Sequence, residues 1–249
     1  KQIRGDFLDD RSYTRAGYIQ LVLGNIDAAD RTHRKALELN PENANAHFNL
    51  ATILIEQKRL DEAASHCREA LRIDPQTFEA HLNLGRILVD TNKVDEGIKH
   101  LAEAHRLRPQ HGLTLCHLGI ALEKQKKFGP AALYYAAAVK ARPDLVPALL
   151  SLASIRATAP DDELRDGQEA IKFAEKACEF TRYADPLALD VLAAALAETG
   201  RFTEALRVAE MAVQYAAAAK DERRVAAVQR RIEVYTRNEP FRRSAPFDP

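Results

Sequence analysis

Apolar residues recur along this chain at steps of three and four within segments a dozen or so residues long, and charged residues fill the positions between them. Leu50, Ala51 and Leu54 mark one such stripe, and Ala63 and Ala70 mark the next. Steps of this kind place side chains on one face of an α-helix. The stripes come in pairs, and each of the first four pairs closes on a proline: Pro41, Pro75, Pro109 and Pro143 stand 34 residues apart. A fixed period of this length is the mark of a helix-turn-helix unit copied along the chain, in which each copy buries its apolar face against its neighbours.

With each proline at position 32, the units run 10–43, 44–77, 78–111 and 112–145. A fifth, 146–185, recovers its register only if five residues are inserted in the turn between its helices, around Ala159-Pro160-Asp161-Asp162. Asp166, with Glu169 three residues on, reads there as a helix start. The sixth unit, 186–219, opens on Pro186, which suits a first helical turn, and lacks the closing proline, so its second helix is expected to reach about Lys220. One continuous array over 10–219 follows, with 1–9 as a lead-in and 238–249 as a tail. Residues 221–237 are expected to form a capping helix, with Val225, Val228, Ile232 and Tyr235 inward and Arg223, Arg224, Arg230 and Arg231 on a solvated outer face. Phe241 and Phe247 in the tail have no packing period.

The clearest pair reads AHFNLATILIEQKRLDEAASHCREALRIDP (46–75) and AHLNLGRILVDTNKVDEGIKHLAEAHRLRP (80–109). These segments resemble tetratricopeptide repeats, a family with large residues at positions 4, 7, 11, 17 and 24, small ones at 8, 20 and 27, and proline at 32. The small residues let two antiparallel helices approach and the larger ones fill the seam. At position 4 this chain has His47 and His81, where the family prefers a bulky residue. The resemblance implies an all-α, right-handed superhelix of about six helix pairs plus the C-terminal cap, whose first helices line a concave face through positions 2, 5, 6, 9, 12 and 13. Asn49 and Asn83 at position 6 sit in HxNL contexts similar to the repeat region of O-GlcNAc transferases, where an asparagine ladder holds an extended ligand. Arg86 and His117 join them as candidate partner contacts, with Tyr18, Phe48 and Leu82 as apolar ones. Each amide rung is worth a net of about 0.5–1.5 kcal/mol, and two fall short of the roughly 8 kcal/mol of a micromolar complex, so apolar contacts must contribute. A carboxylate clamp of the chaperone-binding kind finds only Asn49 in place. Arg86, Lys124 and Arg156 make the inferred groove tolerant of an acidic segment.

Composition narrows the function further. Thirty-six basic and 36 acidic residues cancel, so no global field draws the chain to nucleic acid or an anionic membrane. No apolar run is long enough to insert in a bilayer. Cys67, Cys116 and Cys178 are odd in number and lack a CxxC, which indicates neither a disulfide framework nor a structural zinc site. His47 with His81, and His66 with His100, are equivalent repeat positions and not a ligand set, and no phosphate loop or nucleophile elbow is present. The reading is a non-enzymatic protein-interaction scaffold without cofactor or metal, binding a protein or peptide segment in its groove. A second reading, on the HxNL contexts and on DPLALDVLAAALAETGRFTEA (185–205), which is similar to repeat tails of bacterial multidomain and membrane-bound proteins, is the non-catalytic region of a larger enzyme such as a membrane-bound glycosyltransferase. That would set the domain in a bacterial cytoplasm or periplasm. A third is self-assembly into a homo-oligomer through an uncovered apolar seam before Tyr13.

Overall fold

The computed structural model describes residues 9–243, so the lead-in up to residue 8 and the tail from 244, with Phe247, lie outside the described residues. The fold is all-α. The helices are α1 (Asp10–Val22), α2 (Ile26–Leu39), α3 (Ala44–Glu56), α4 (Leu60–Ile73), α5 (Phe78–Asp90), α6 (Val94–Leu107), α7 (Gly112–Lys124), α8 (Phe128–Ala141), α9 (Val146–Thr158), α10 (Gly167–Phe180), α11 (Pro186–Glu198), α12 (Phe202–Ala218) and α13 (Glu222–Tyr235). Two compact units divide the chain, one up to Pro109 with α1–α6 and one from Gln110 with α7–α13.

Within the first unit, α1 packs on α2, α3 on α4 and α5 on α6, and each pair stacks on the next through α2 with α3 and α4 with α5. The second unit repeats this with α7–α8, α9–α10 and α11–α12, and α13 lies against α12 and α11. Side-chain caps start several of these helices: Asn43 accepts from the Ala46 amide, Asp166 from Glu169 and Asp221 from Arg224. Each supplies one of the acceptors that a helix N-terminus lacks. Within a pair, the three-residue turn takes a left-handed residue at position 15. Gly24 and Gly200 adopt φ near 77°, and Lys58, Asn92 and Lys126 adopt φ of 60°, 64° and 61°. Glycine occupies this region without a steric cost, which the other three residues bear.

The connection between α9 and α10 is longer, 159–166, and holds a short 3-10 turn over Asp162–Leu164. Arg165 anchors it by donating to the Ala159 carbonyl at 2.8 Å and to Glu198 of α11 at 3.0 Å.

The seam inside each pair is set by positions 8 and 24. Where position 24 is large, position 8 is glycine: a Cβ on Gly17 would lie 2.6 Å from the His33 ring, on Gly85 2.7 Å from Leu101, and on Gly119 2.5 Å from the Tyr135 ring. Where position 24 is the smaller Cys67, Ala174 or Ala209, position 8 is Ala51, Ala153 or Ala193, and all six are fully buried. Each seam thus reaches close packing by matching a pair of volumes. Position 27 is alanine in all six units, Ala36, Ala70, Ala104, Ala138, Ala177 and Ala212, each fully buried.

The α13 helix buries Val228 and Tyr235 against this core, with Val225 and Ile232 partly buried. Arg231 departs from the expected solvated face: its guanidinium pairs with Asp190 of α11, which is buried. Burial strips most of the hydration from the carboxylate, and the paired guanidinium offsets that cost.

Candidate functional site

The sequence candidates divide between the two units. Tyr18 on α1, Phe48 and Asn49 on α3, and Leu82, Asn83 and Arg86 on α5 belong to the first, and His117 on α7 belongs to the second. Tyr18 is 58% exposed, whereas Phe48, Leu82, Asn83, Arg86 and His117 are half-buried. Asn49 is 7% exposed, so little of its amide meets solvent. The Asn83 amide reaches across the helices to donate to the Thr52 hydroxyl at 3.4 Å, placing the second rung beside the helix that carries the first.

The two histidines at position 4 face the histidine of the second helix of their own pair. His47 Nδ1 lies 2.9 Å from His66 Nδ1, and His81 Nδ1 lies 3.1 Å from His100 Nδ1. His47 Nε2 is 3.0 Å from the Pro41 carbonyl and His81 Nε2 is 3.1 Å from the Pro75 carbonyl. A carbonyl only accepts, so each Nε2 carries the proton, each position-4 Nδ1 accepts, and His66 and His100 donate. The two pairs tie the turn to both helices of the unit and fill the place of a bulky residue. Burial, followed by the neighbouring His47 and His81, holds His66 and His100 below the ordinary histidine value. Among the described residues no group of three or more His, Cys, Asp or Glu is placed to hold a metal ion.

The three cysteines are buried, and burial pushes the thiols of Cys67 and Cys178 up to about 12 and that of Cys116 up to about 11. A thiol held neutral in this way is a poor nucleophile at neutral pH. Among the described residues His33, behind Gly17, is driven far down, and desolvation takes it to about 4. Neither of its ring nitrogens meets a hydrogen-bond partner among the described residues.

A further constellation lies on α7, α9 and α11, the first helices of the pairs in the second unit. After α13 the chain turns back over these helices, and Arg242 and Arg243 are seated there. Arg243 donates through one guanidinium nitrogen to Glu123 of α7 and through the other to the Ser154 hydroxyl of α9, and its amide donates to the Thr158 carbonyl at 2.9 Å. Arg242 donates to Glu198 of α11, which also accepts from Arg165 at 3.0 Å. Glu123 is fixed from behind, because its other oxygen accepts from the buried Tyr135 hydroxyl at 2.8 Å. The Phe241 ring packs partly buried against the core, with the Arg231 guanidinium 4.9 Å from its centroid, and the Arg243 guanidinium is 5.9 Å from the Phe128 centroid.

Glu123, Ser154, Thr158 and Glu198 stand at positions 12, 9, 13 and 13, which the resemblance to tetratricopeptide repeats implies are groove positions. The repeat pattern alone does not single these residues out, because charged side chains also occupy neighbouring groove positions at Lys124 and Arg156. The available signal was two glutamates at the ends of first helices, together with an Arg-Arg pair in the tail. Of the basic groove candidates, Arg156 turns to Glu169 at 2.6 Å and to the Leu164 carbonyl at 3.1 Å.

Residues 14–77 and residues 54–115 each match a family model described as tetratricopeptide repeat. Together the two matches identify tetratricopeptide repeats over residues 14–115 of the chain. Solved structures of similar fold include PilW, a widely conserved type IV pilus biogenesis factor (TM-score 0.67, 22% identity, 88% of this chain and 98% of that one). They also include the APC/C hetero-tetramer Cut9-Hcn1 (TM-score 0.71, 15% identity, 88% of this chain and 43% of that one). A third is YrrB, described as a TPR protein with an unusual peptide-binding site (TM-score 0.58, 21% identity, 73% of this chain and 90% of that one). At these identities the likeness is one of fold. No curated protein matches the sequence.

Proposed function

We propose that this protein is a non-catalytic interaction scaffold that binds an extended polypeptide segment on the first helices of its repeats. The observation that supports this reading most directly is that α7, α9 and α11 already hold a non-helical stretch of chain, by one backbone hydrogen bond and by charged side-chain contacts. A preformed helical surface avoids most of the ordering cost on its own side, which leaves the binding energy of the contacts to the partner's ordering. In the first unit the corresponding face offers Asn83 and Arg86, with Asn49 beneath and Phe48 and Leu82 as apolar neighbours. The buried, neutral thiols and the peptide-binding YrrB relative are consistent with a scaffold. Among the described residues no helix is long and apolar enough to cross a membrane.

The test is affinity capture with the wild-type chain and with Asn49→Ala combined with Asn83→Ala, after matching their helicity by circular dichroism. A partner captured by the wild type and lost with the variant supports the amide rungs of the first unit. Equal capture by both removes them.

A second reading, self-association, draws on α1. Ile19 at position 10 is 57% exposed, while its counterparts Ile53 and Ile87 are buried against the preceding helix pair. Tyr18, Val22 and Leu23 extend this exposed apolar surface. Multi-angle light scattering of the wild type and of Ile19→Asp at high concentration tests it, and a wild-type monomer throughout removes the reading.

A further inference from the structure

The seated tail discloses the chemistry of the surface beneath it. Two glutamates from helices two repeats apart, one braced by Tyr135 and the other by Arg165, receive consecutive arginines. One serine hydroxyl and one main-chain carbonyl complete the set, and both serve Arg243. An arginine suits this arrangement because its planar fork presents donors in two directions at once, toward Glu123 and toward Ser154, which a lysine ammonium on a flexible stem does not preorganise. The carboxylates are largely covered and the arginines partly so: the side chains of Glu123 and Glu198 are 12% and 13% exposed, that of Arg243 is 21% and that of Arg242 is 36%. These interactions depend on side-chain donors and acceptors and on one backbone amide. None of them requires that the arginines belong to this chain.

We propose that the inner face of α7, α9 and α11 is a binding site for an extended basic segment of a partner, an aromatic residue followed by two arginines, and that Phe241-Arg242-Arg243 is its resident competitor. This rests on reading the first helices as a polypeptide-binding surface, and it names the ligand class for the second unit. The tether gives the tail an effective concentration on the order of millimolar, so an outside segment gains access when its own flanking contacts outweigh that advantage or when the tail is drawn away. Arg86, Lys124 and Arg156 predict a groove tolerant of an acidic segment, but at the seated tail the charges that meet the ligand are the carboxylates of Glu123 and Glu198.

The experiment uses the full chain and a fluorescein-labelled peptide, Glu-Pro-Phe-Arg-Arg-Ser, in fluorescence anisotropy. Arg242→Ala with Arg243→Ala vacates the site, and this variant is expected to bind the peptide at least about tenfold more tightly than the wild type, the difference reflecting the tethered competitor. Adding Glu123→Gln and Glu198→Gln to the vacated variant, which keeps the side-chain shapes, is expected to weaken binding by at least about tenfold, as is replacing the peptide arginines by lysines. Failure of the vacated variant to bind at millimolar peptide, or binding that ignores both glutamine substitutions, overturns the proposal. A measurement free of variants guards against misfolding. In the wild-type chain, saturating peptide must raise the hydrogen exchange of the Arg243 amide, now held by Thr158, and peptide binding with unchanged exchange also overturns it. If the peptide fails while a partner is still captured through Asn49 and Asn83, the scaffold reading stands and only the basic-segment site falls.

Discussion

Gly119→Ala tests whether the seams of this protein are set by paired volumes. On an exposed helix the change gains about 1 kcal/mol from the lower conformational entropy of alanine. Here the added Cβ would lie 2.5, 2.7 and 2.9 Å from three atoms of the Tyr135 ring, where ordinary contact begins near 3.4 Å, so the nearest ring atom must retreat by roughly 3.4 − 2.5 = 0.9 Å. The ring has little freedom to do so, since Tyr135 is fully buried and its hydroxyl is held by Glu123 at 2.8 Å. Overpacking of this order costs about 1–3 kcal/mol, which exceeds or cancels the propensity gain, and a net loss of up to about 2 kcal/mol is expected. Urea unfolding followed by far-ultraviolet circular dichroism measures it, with the midpoint of each transition compared because a repeat array need not unfold in one step. The sharper readout is a sign reversal. In a Tyr135→Cys background, which reproduces the Ala51 and Cys67 pairing of the second repeat, Gly119→Ala should become stabilising by up to about 1 kcal/mol. Stabilisation by Gly119→Ala in the wild-type background, or the same effect in both backgrounds, refutes the volume-matching argument.

His33 gives a pH prediction. Its folded value near 4 lies below the ordinary 6.5, so below pH 6.5 the unfolded chain binds more protons than the folded one. Stability is therefore full above about pH 6.5 and falls as the pH drops toward 4, by up to about 3 kcal/mol for this group. His33→Leu, which copies the Leu101 and Gly85 seam, should flatten that part of the profile in pH-dependent urea unfolding; an unchanged slope rejects His33 as its source. The depressed His66 and His100 act in the same direction, so some acid sensitivity is expected to survive in His33→Leu and to fall further with His66→Tyr. Arg231→Ala leaves the buried Asp190 carboxylate without its cation and should cost about 3 kcal/mol, with α13 the first helix to lose amide protection in hydrogen exchange. Near-zero loss there means that Asp190 finds solvent or becomes protonated at little cost.

The period of 34 and the alternation of large and small positions are written in the sequence because a helix pair must bury one face on its neighbours, and that demand recurs at the same places in every copy. All-α class, the inward face of α13 at Val228 and Tyr235, and the burial of Ala36 through Ala212 at position 27 are legible for that reason. Asp166 as the cap of α10 is legible as well, because capping depends on residues three apart. What the chain order alone leaves open are contacts that join distant residues. His47 meets His66 instead of repeating independently, and Arg231 turns inward to Asp190 although its position on the helix wheel faces out. The Arg243 side chain reaches Glu123, 120 residues earlier. Such pairings depend on where helix packing sets a charged or polar group out of water and what then lies within hydrogen-bonding distance. The resemblance to tetratricopeptide repeats implies that positions 9, 12 and 13 face a common surface; only the tertiary structure decides that in the second unit this surface is acidic, braced from behind and filled by the chain's own arginines.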